Sequence, residues 1–62
     1  MYCVKTKYLK NGKWHYHTTK NYQTSQMAWD AKDEYERLHG YDWEESTSSL
    51  IRILGGNGDV QN

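Results

Sequence analysis

The sequence predicts a small α+β domain in the order ββαβ, an antiparallel sheet packed against one helix. Three observations predict it. Asn11-Gly12 separates two runs rich in aromatic and β-branched residues, a strong hairpin signal. An amphipathic run lies between the capping residues Thr24 and Ser25 and the stop residue Gly40. Ser49-Leu50-Ile51-Arg52-Ile53-Leu54 alternates as a strand does.

The hairpin spans Tyr2 to Thr19, and two loop lengths compete for it. A two-residue loop pairs Lys10 with Lys13 and Leu9 with Trp14. It sets Trp14 and Tyr16 beside Lys7 and Lys5, with both strand histidines on the face of Tyr2, Val4 and Tyr8, so neither face is clean. A three-residue loop, Lys10-Asn11-Gly12 with a left-handed Gly12, pairs Tyr8 with Trp14. It collects Tyr2, Val4, Thr6, Tyr8, Trp14, Tyr16 and Thr18 on one face. Cys3, Lys5, Lys7, Leu9, Lys13, His15, His17 and Thr19 then share the other. A one-residue slip flips every side chain of a strand, so the apolar pattern favours the three-residue loop.

The helix is expected over about Gln26 to His39, with Gly40 as a left-handed stop. At about 100° per residue, Met27, Ala28, Ala31, Tyr35 and Leu38 form its inward stripe. Trp29 falls on the far side, near Lys32, Asp33 and Glu36. For Tyr41 to Leu54 a helix and a strand compete. Asp42 and Glu45 have capping-box spacing, but Ser46-Thr47-Ser48-Ser49 is a poor helix interior. A hairpin also needs further partners to be stable. The strand is the expectation. Residues 1–54 form the expected domain, and the glycine-rich residues 55–62 a flexible tail.

Sixty-two residues make at most one domain, and one that buries only about 60% of its unfolded surface. A single cysteine precludes an internal disulfide. No apolar run approaches the roughly 18 residues of a membrane span, and no secretory signal stands at Met1-Tyr2-Cys3. A lone Cys3 suits a reducing compartment. The expectation is therefore a cytoplasmic protein, in the host cytoplasm if the chain is viral, with no membrane partner. Mean hydropathy is −1.15, and Leu, Ile, Val and Phe together number only 8. Yet the net charge is zero, and six Tyr and three Trp supply aromatic bulk, which argues for a folded chain rather than a disordered one.

Zero net charge conceals an asymmetry. Residues 1–20 hold five lysines and no acid, while residues 21–54 hold seven acids against Lys32, Arg37 and Arg52. The acids are interleaved with aromatics, so Trp29, Asp33, Glu36, Tyr41, Trp43 and Glu44 are candidates for binding a protein partner, with exposed tryptophan as the anchor. Lys5, Lys7, Lys13, His15 and His17 form the alternative, a basic ribbon for nucleic acid. A pI near 6.8 weighs against that reading. His15-x-His17 near Cys3 has lysine neighbours rather than a carboxylate, so no metal is expected. No cofactor is expected either. No Gly-x-Ser-x-Gly, His-Glu-x-x-His or phosphate loop appears, and the chain is expected not to be an enzyme.

Two resemblances can be stated. The hairpin, Asn21-Tyr22-Gln23-Thr24 and the helix resemble the three-stranded arm-binding domains of phage integrases. The whole layout resembles small early phage proteins that inhibit or redirect host enzymes. Tyr2-x-Val4, Gly12-Lys13, Tyr16-His17, an acidic helix and Leu50-Ile51-Arg52-Ile53-Leu54 are similar in spacing to phage inhibitors of uracil-DNA glycosylase, a family of dimeric DNA mimics. The resemblance assigns no residue a role. It implies a non-enzymatic protein-binding module, a modulator of a host enzyme or defence system. Its partners would be a host protein and a second copy of the chain. Nucleic-acid binding is the alternative, and a structural or assembly accessory role the next.

Overall fold

A computed structural model describes residues 1–54; the tail expected over 55–62 lies outside the described residues. The chain forms strand β1 (Tyr2–Lys10), strand β2 (Lys13–Thr18), helix α1 (Ser25–His39), a 3₁₀ turn (Gly40–Asp42) and strand β3 (Glu45–Arg52). The strands make one antiparallel sheet in the order β2-β1-β3. The predicted ββαβ domain is therefore present, with a strand after the helix rather than a second helix.

The hairpin register differs from the expectation. Leu9 pairs with Trp14 and Lys10 with Lys13, so the loop has two residues. Asn11 at φ 53° and Gly12 at φ 74° are both left-handed, as a type I′ turn requires. A three-residue loop needs only Gly12 there. The turn chemistry of Asn-Gly prevails over the apolar pattern, and it swaps the faces of β2. Tyr8, His15 and His17 lie on the helix side with Val4 and Thr6. Trp14, Tyr16 and Thr18 lie on the open side with Lys5, Lys7 and Leu9.

The helix begins where its cap predicts. Thr24 is extended, and its hydroxyl accepts from the Met27 N–H at 3.2 Å. Its rotation differs from the predicted stripe. Ala28 is fully buried, and Trp29, Ala31, Lys32, Tyr35 and Glu36 are partly covered, while Met27 and Leu38 are exposed. Small Ala28 permits close approach to the sheet, and Tyr35 stacks on His17 with ring centroids 3.4 Å apart. Trp29 thus sits on the covered side rather than the far side, with the Lys32 ammonium 5.6 Å from its ring centre.

Gly40 is not a left-handed stop. Its φ is −82°, and it opens the 3₁₀ turn. What it provides is space: a Cβ there would stand 3.0 Å from Glu36 Cγ and 3.3 Å from the Trp43 ring. Asp42 caps no second helix; it faces Lys10 at 3.4 Å.

The buried centre is small: Cys3, Val4, Thr6, Thr19 and Ala28. Its polar members are satisfied, since Thr6 Oγ1 and Ser48 Oγ share a hydrogen bond of 2.8 Å, and Thr19 Oγ1 accepts from the Val4 N–H at 2.9 Å. Reciprocal backbone bonds of 2.6 and 2.7 Å between Tyr2 and Tyr22 tie the strand-to-helix connection back to the sheet.

Candidate functional site

Two surfaces were expected to carry function, and the fold redistributes both. Among the acidic-aromatic set, Trp43 packs inward, stacked on Tyr8 at 4.2 Å with planes 13° apart. Trp29 is partly covered. Glu36 is engaged with Lys32 at 2.9 Å, as is Asp33 at 3.1 Å, and Glu34 pairs with Arg37. Hydrogen bonding to Glu36, outweighing a smaller effect of burial, holds the Lys32 pKa above its usual value. Tyr41 is the exception, 87% exposed at the 3₁₀ turn. Glu44 is also exposed, its N–H donating to the Leu9 carbonyl. Both tryptophans expected to anchor a partner thus serve the domain's own packing.

The basic set is divided between the two faces. Lys5 and Lys7 stay on the open face, while Lys13, His15 and His17 move to the helix side. His15 stacks on Tyr8 at 5.3 Å. With Trp43, Tyr35, His17 and His39, these rings form a continuous aromatic cluster under the C-terminal half of α1. Burial, and secondarily the charge of His39, lower the His17 pKa, so its imidazole packs in the neutral form. Its Nδ1 is buried and finds no hydrogen-bond partner among the described residues. Tyr35 is held protonated above its usual range, by burial first and by the adjacent Tyr8 second.

Two open grooves flank this cluster. One of about 500 Å³ runs between β2 and α1 past His17, Tyr22, Tyr35 and Leu38. The other, about 480 Å³, lies beside the hairpin turn at Tyr8, Lys10, Lys13 and His15. Lys20 and Glu34 also line the first groove. No group of three or more His, Cys, Asp or Glu side chains could hold a metal ion among the described residues, and none of their helices is long and apolar enough to cross a membrane.

The open face of the sheet carries the most distinctive chemistry. Trp14 is 45% and Tyr16 60% exposed, on one strand and two residues apart, so roughly 7 Å separates them by strand rise. Lys7 stands 4.6 Å from the Trp14 ring centre, and Lys5 5.0 Å from that of Tyr16. Each cation–π contact at such an exposed site contributes about 0.5–1 kcal/mol. Leu9, Thr18, Thr47, Ser49 and Ile51 surround these four, and the one acid sharing their face, Glu45, stands at the end of β3 opposite Leu9. Asp30, Asp33, Glu34 and Glu36 are carried by α1 behind the sheet. Lys5 and Lys7 are thereby set apart from the four acids of α1, while Lys10, Lys13 and Arg52 lie on the helix side of the sheet and Lys32 and Arg37 on α1 itself.

The composition expected of this surface was correct only in part. Lys5 and Lys7 were foreseen, whereas Trp14 and Tyr16 were assigned to the core. The signal that finds them is the Asn11-Gly12 dipeptide, whose preferred turn fixes the register that exposes them. Comparison with family models, with curated proteins and with solved structures finds no match to this chain.

Proposed function

We propose that this chain is a non-enzymatic binding module for single-stranded nucleic acid, with the open sheet face as its contact surface. The observation that carries this reading is the alternation of exposed rings and lysines: Trp14 with Lys7, Tyr16 with Lys5. Unpaired bases stack on aromatic side chains with little regard to sequence, and ammonium groups between the rings meet the phosphates. A duplex keeps its bases stacked internally and offers such rings nothing to bind. The near-neutral pI is compatible with this reading because the four acids of α1 lie behind the sheet, and among the described residues only Glu45 shares the open face.

A protein partner is the second reading. It rests on Tyr41, the most exposed large hydrophobic side chain among the described residues.

Fluorescence anisotropy of a labelled oligothymidylate, titrated at several salt concentrations, tests the leading reading. Binding is expected at low salt, with a log–log slope of about −1.4 for two phosphate contacts. Trp14→Ala should weaken it about 5- to 100-fold, the worth of one stacked base. A duplex of equal charge should bind more weakly. Absence of binding at low salt, or binding indifferent to Trp14 and Tyr16, overturns the proposal. Binding indifferent to salt would point to the protein reading.

A further inference from the structure

We infer that the outer edge of β3 is a self-pairing site, and that a second copy of this chain sets its own β3 antiparallel against it. The result is a six-stranded sheet across a two-fold axis.

β3 ends the sheet order, and among the described residues nothing pairs with its outer side. The Ile53 N–H donates to the Met1 carbonyl at 2.8 Å, and the Met1 ammonium to the Ile53 carbonyl at 3.3 Å. In an antiparallel ladder such mutually bonded pairs recur at every second residue. The odd-numbered residues of β3 therefore turn their backbone groups toward β1. Ser46, Ser48, Leu50 and Arg52 direct theirs outward.

Among the described residues the middle of this edge carries none of the usual protection. Natural edges carry lysine, proline or a bulge. β3 has no lysine or proline, and its pairing with β1 is unbroken from Glu45 to Arg52. The opposite edge, β2, is shorter and begins at Lys13. At its C-terminal end β3 exposes apolar residues, Leu50, Ile51 and Ile53 each somewhat more than a third exposed and Leu54 75% exposed, beside the exposed polar residues Glu45, Ser46, Thr47, Ser49 and Arg52.

Charge fixes the direction. Glu44 and Glu45 stand at one end of β3 and Arg52 at the other. Antiparallel pairing sets each acidic end near the partner's basic end, twice by symmetry, although Glu45 and Arg52 point to opposite faces; parallel pairing sets like ends side by side. An isologous contact of this kind closes as a dimer.

Two antiparallel copies are related by an axis normal to the sheet. Both helices then lie on one side, and both sets of Lys5, Lys7, Trp14 and Tyr16 on the other. The two β1 strands are about 14 Å apart, three strand spacings. That functional consequence rests on the nucleic-acid reading above; the dimer does not.

Sedimentation equilibrium from low-micromolar to near-millimolar concentration tests the inference. The wild-type chain should pass from monomer to dimer. Ser46→Pro removes one outward N–H and leaves the pairing with β1 intact, so it should remain monomeric with an unchanged circular-dichroism spectrum. Arg52→Glu and the double variant Glu44→Lys/Glu45→Lys should each be monomeric, and their mixture should form a heterodimer. A wild-type chain that stays monomeric throughout overturns the inference, as does a dimer that survives Ser46→Pro. The two proposals fail separately. Ser46→Pro should still bind oligothymidylate, with an occluded length about half that of the wild-type dimer. A dimer that binds no oligonucleotide removes the nucleic-acid reading alone.

Discussion

His17 is a titratable side chain used as a ring. It lies flat against Tyr35, with His39 adjoining Tyr35 from α1 and Lys20 and Glu34 lining the same groove. Its folded-state pKa is lowered, first by burial and then by His39. The unfolded chain therefore binds a proton more readily, near the ordinary value of about 6.5. The stability that neutral His17 contributes is complete above that value and is lost as pH falls toward the lowered folded-state pKa. Urea unfolding at a series of pH values should show stability declining below about pH 6.5. His17→Phe keeps the stack and should flatten that decline; an unchanged pH profile in this variant would assign the effect to another group. Gly12 is a simpler case. It has open space around it but a φ of 74°, so Gly12→Ala meets only backbone strain. The expected cost is about 1–2 kcal/mol, read as a lowered melting temperature.

At the scale of elements, rotation about the helix axis decides what Trp29 does. On the predicted stripe Trp29 faces solvent, and truncating it leaves the fold intact. In the structure it shares the covered side of α1 with Ala28, Lys32 and Tyr35. Trp29→Ala should therefore destabilise the domain by about 2 kcal/mol, less than the roughly 3–5 kcal/mol for truncating a fully buried Trp because Trp29 is only partly covered. A melt unchanged from wild type would restore it as a surface anchor. Most of the elements were legible in the sequence: the hairpin from Asn11-Gly12, the helix from its Thr24 cap and Gly40 boundary, and the second half of β3 from the alternation of Ser49 to Leu54; its first half, Glu45 to Ser48, is the serine-rich stretch, and Ile53 and Leu54 fall beyond its end. Faces were less legible, for a physical reason. Hydrophobic sorting assumes that Trp and Tyr go inside while Lys and His go outside. Here lysines cover the outward rings of Trp14 and Tyr16, and His15 and His17 stack on Tyr8 and Tyr35 on the helix side. The same inversion dissolves the expected Lys-His ribbon. It also moves the candidate site to a face whose rings the pattern had assigned to the core. Gly40 was legible as a boundary but not in its role, because the approach of Trp43 is a tertiary contact.

At the scale of the molecule, where the charges stand matters as much as their sum. Eight acidic and eight basic side chains cancel, yet Lys5 and Lys7 share the open sheet face with a single acid among the described residues, Glu45, while the four acids of α1 lie behind the sheet beside Lys32 and Arg37. Two lysines beside exposed rings give a polyanion a local contact on that face. Its small buried centre leaves little reserve of stability, so a bound ligand should raise the melting temperature by mass action. The most direct measurement is amide and indole chemical-shift mapping of the labelled chain during titration with oligothymidylate. The account predicts shifts at Lys5, Lys7, Trp14 and Tyr16, including the Trp14 indole N–H, with the outer face of α1 at Asp33 and Glu34 unmoved. Shifts centred on α1 and Tyr41, with the open sheet face silent, would contradict it.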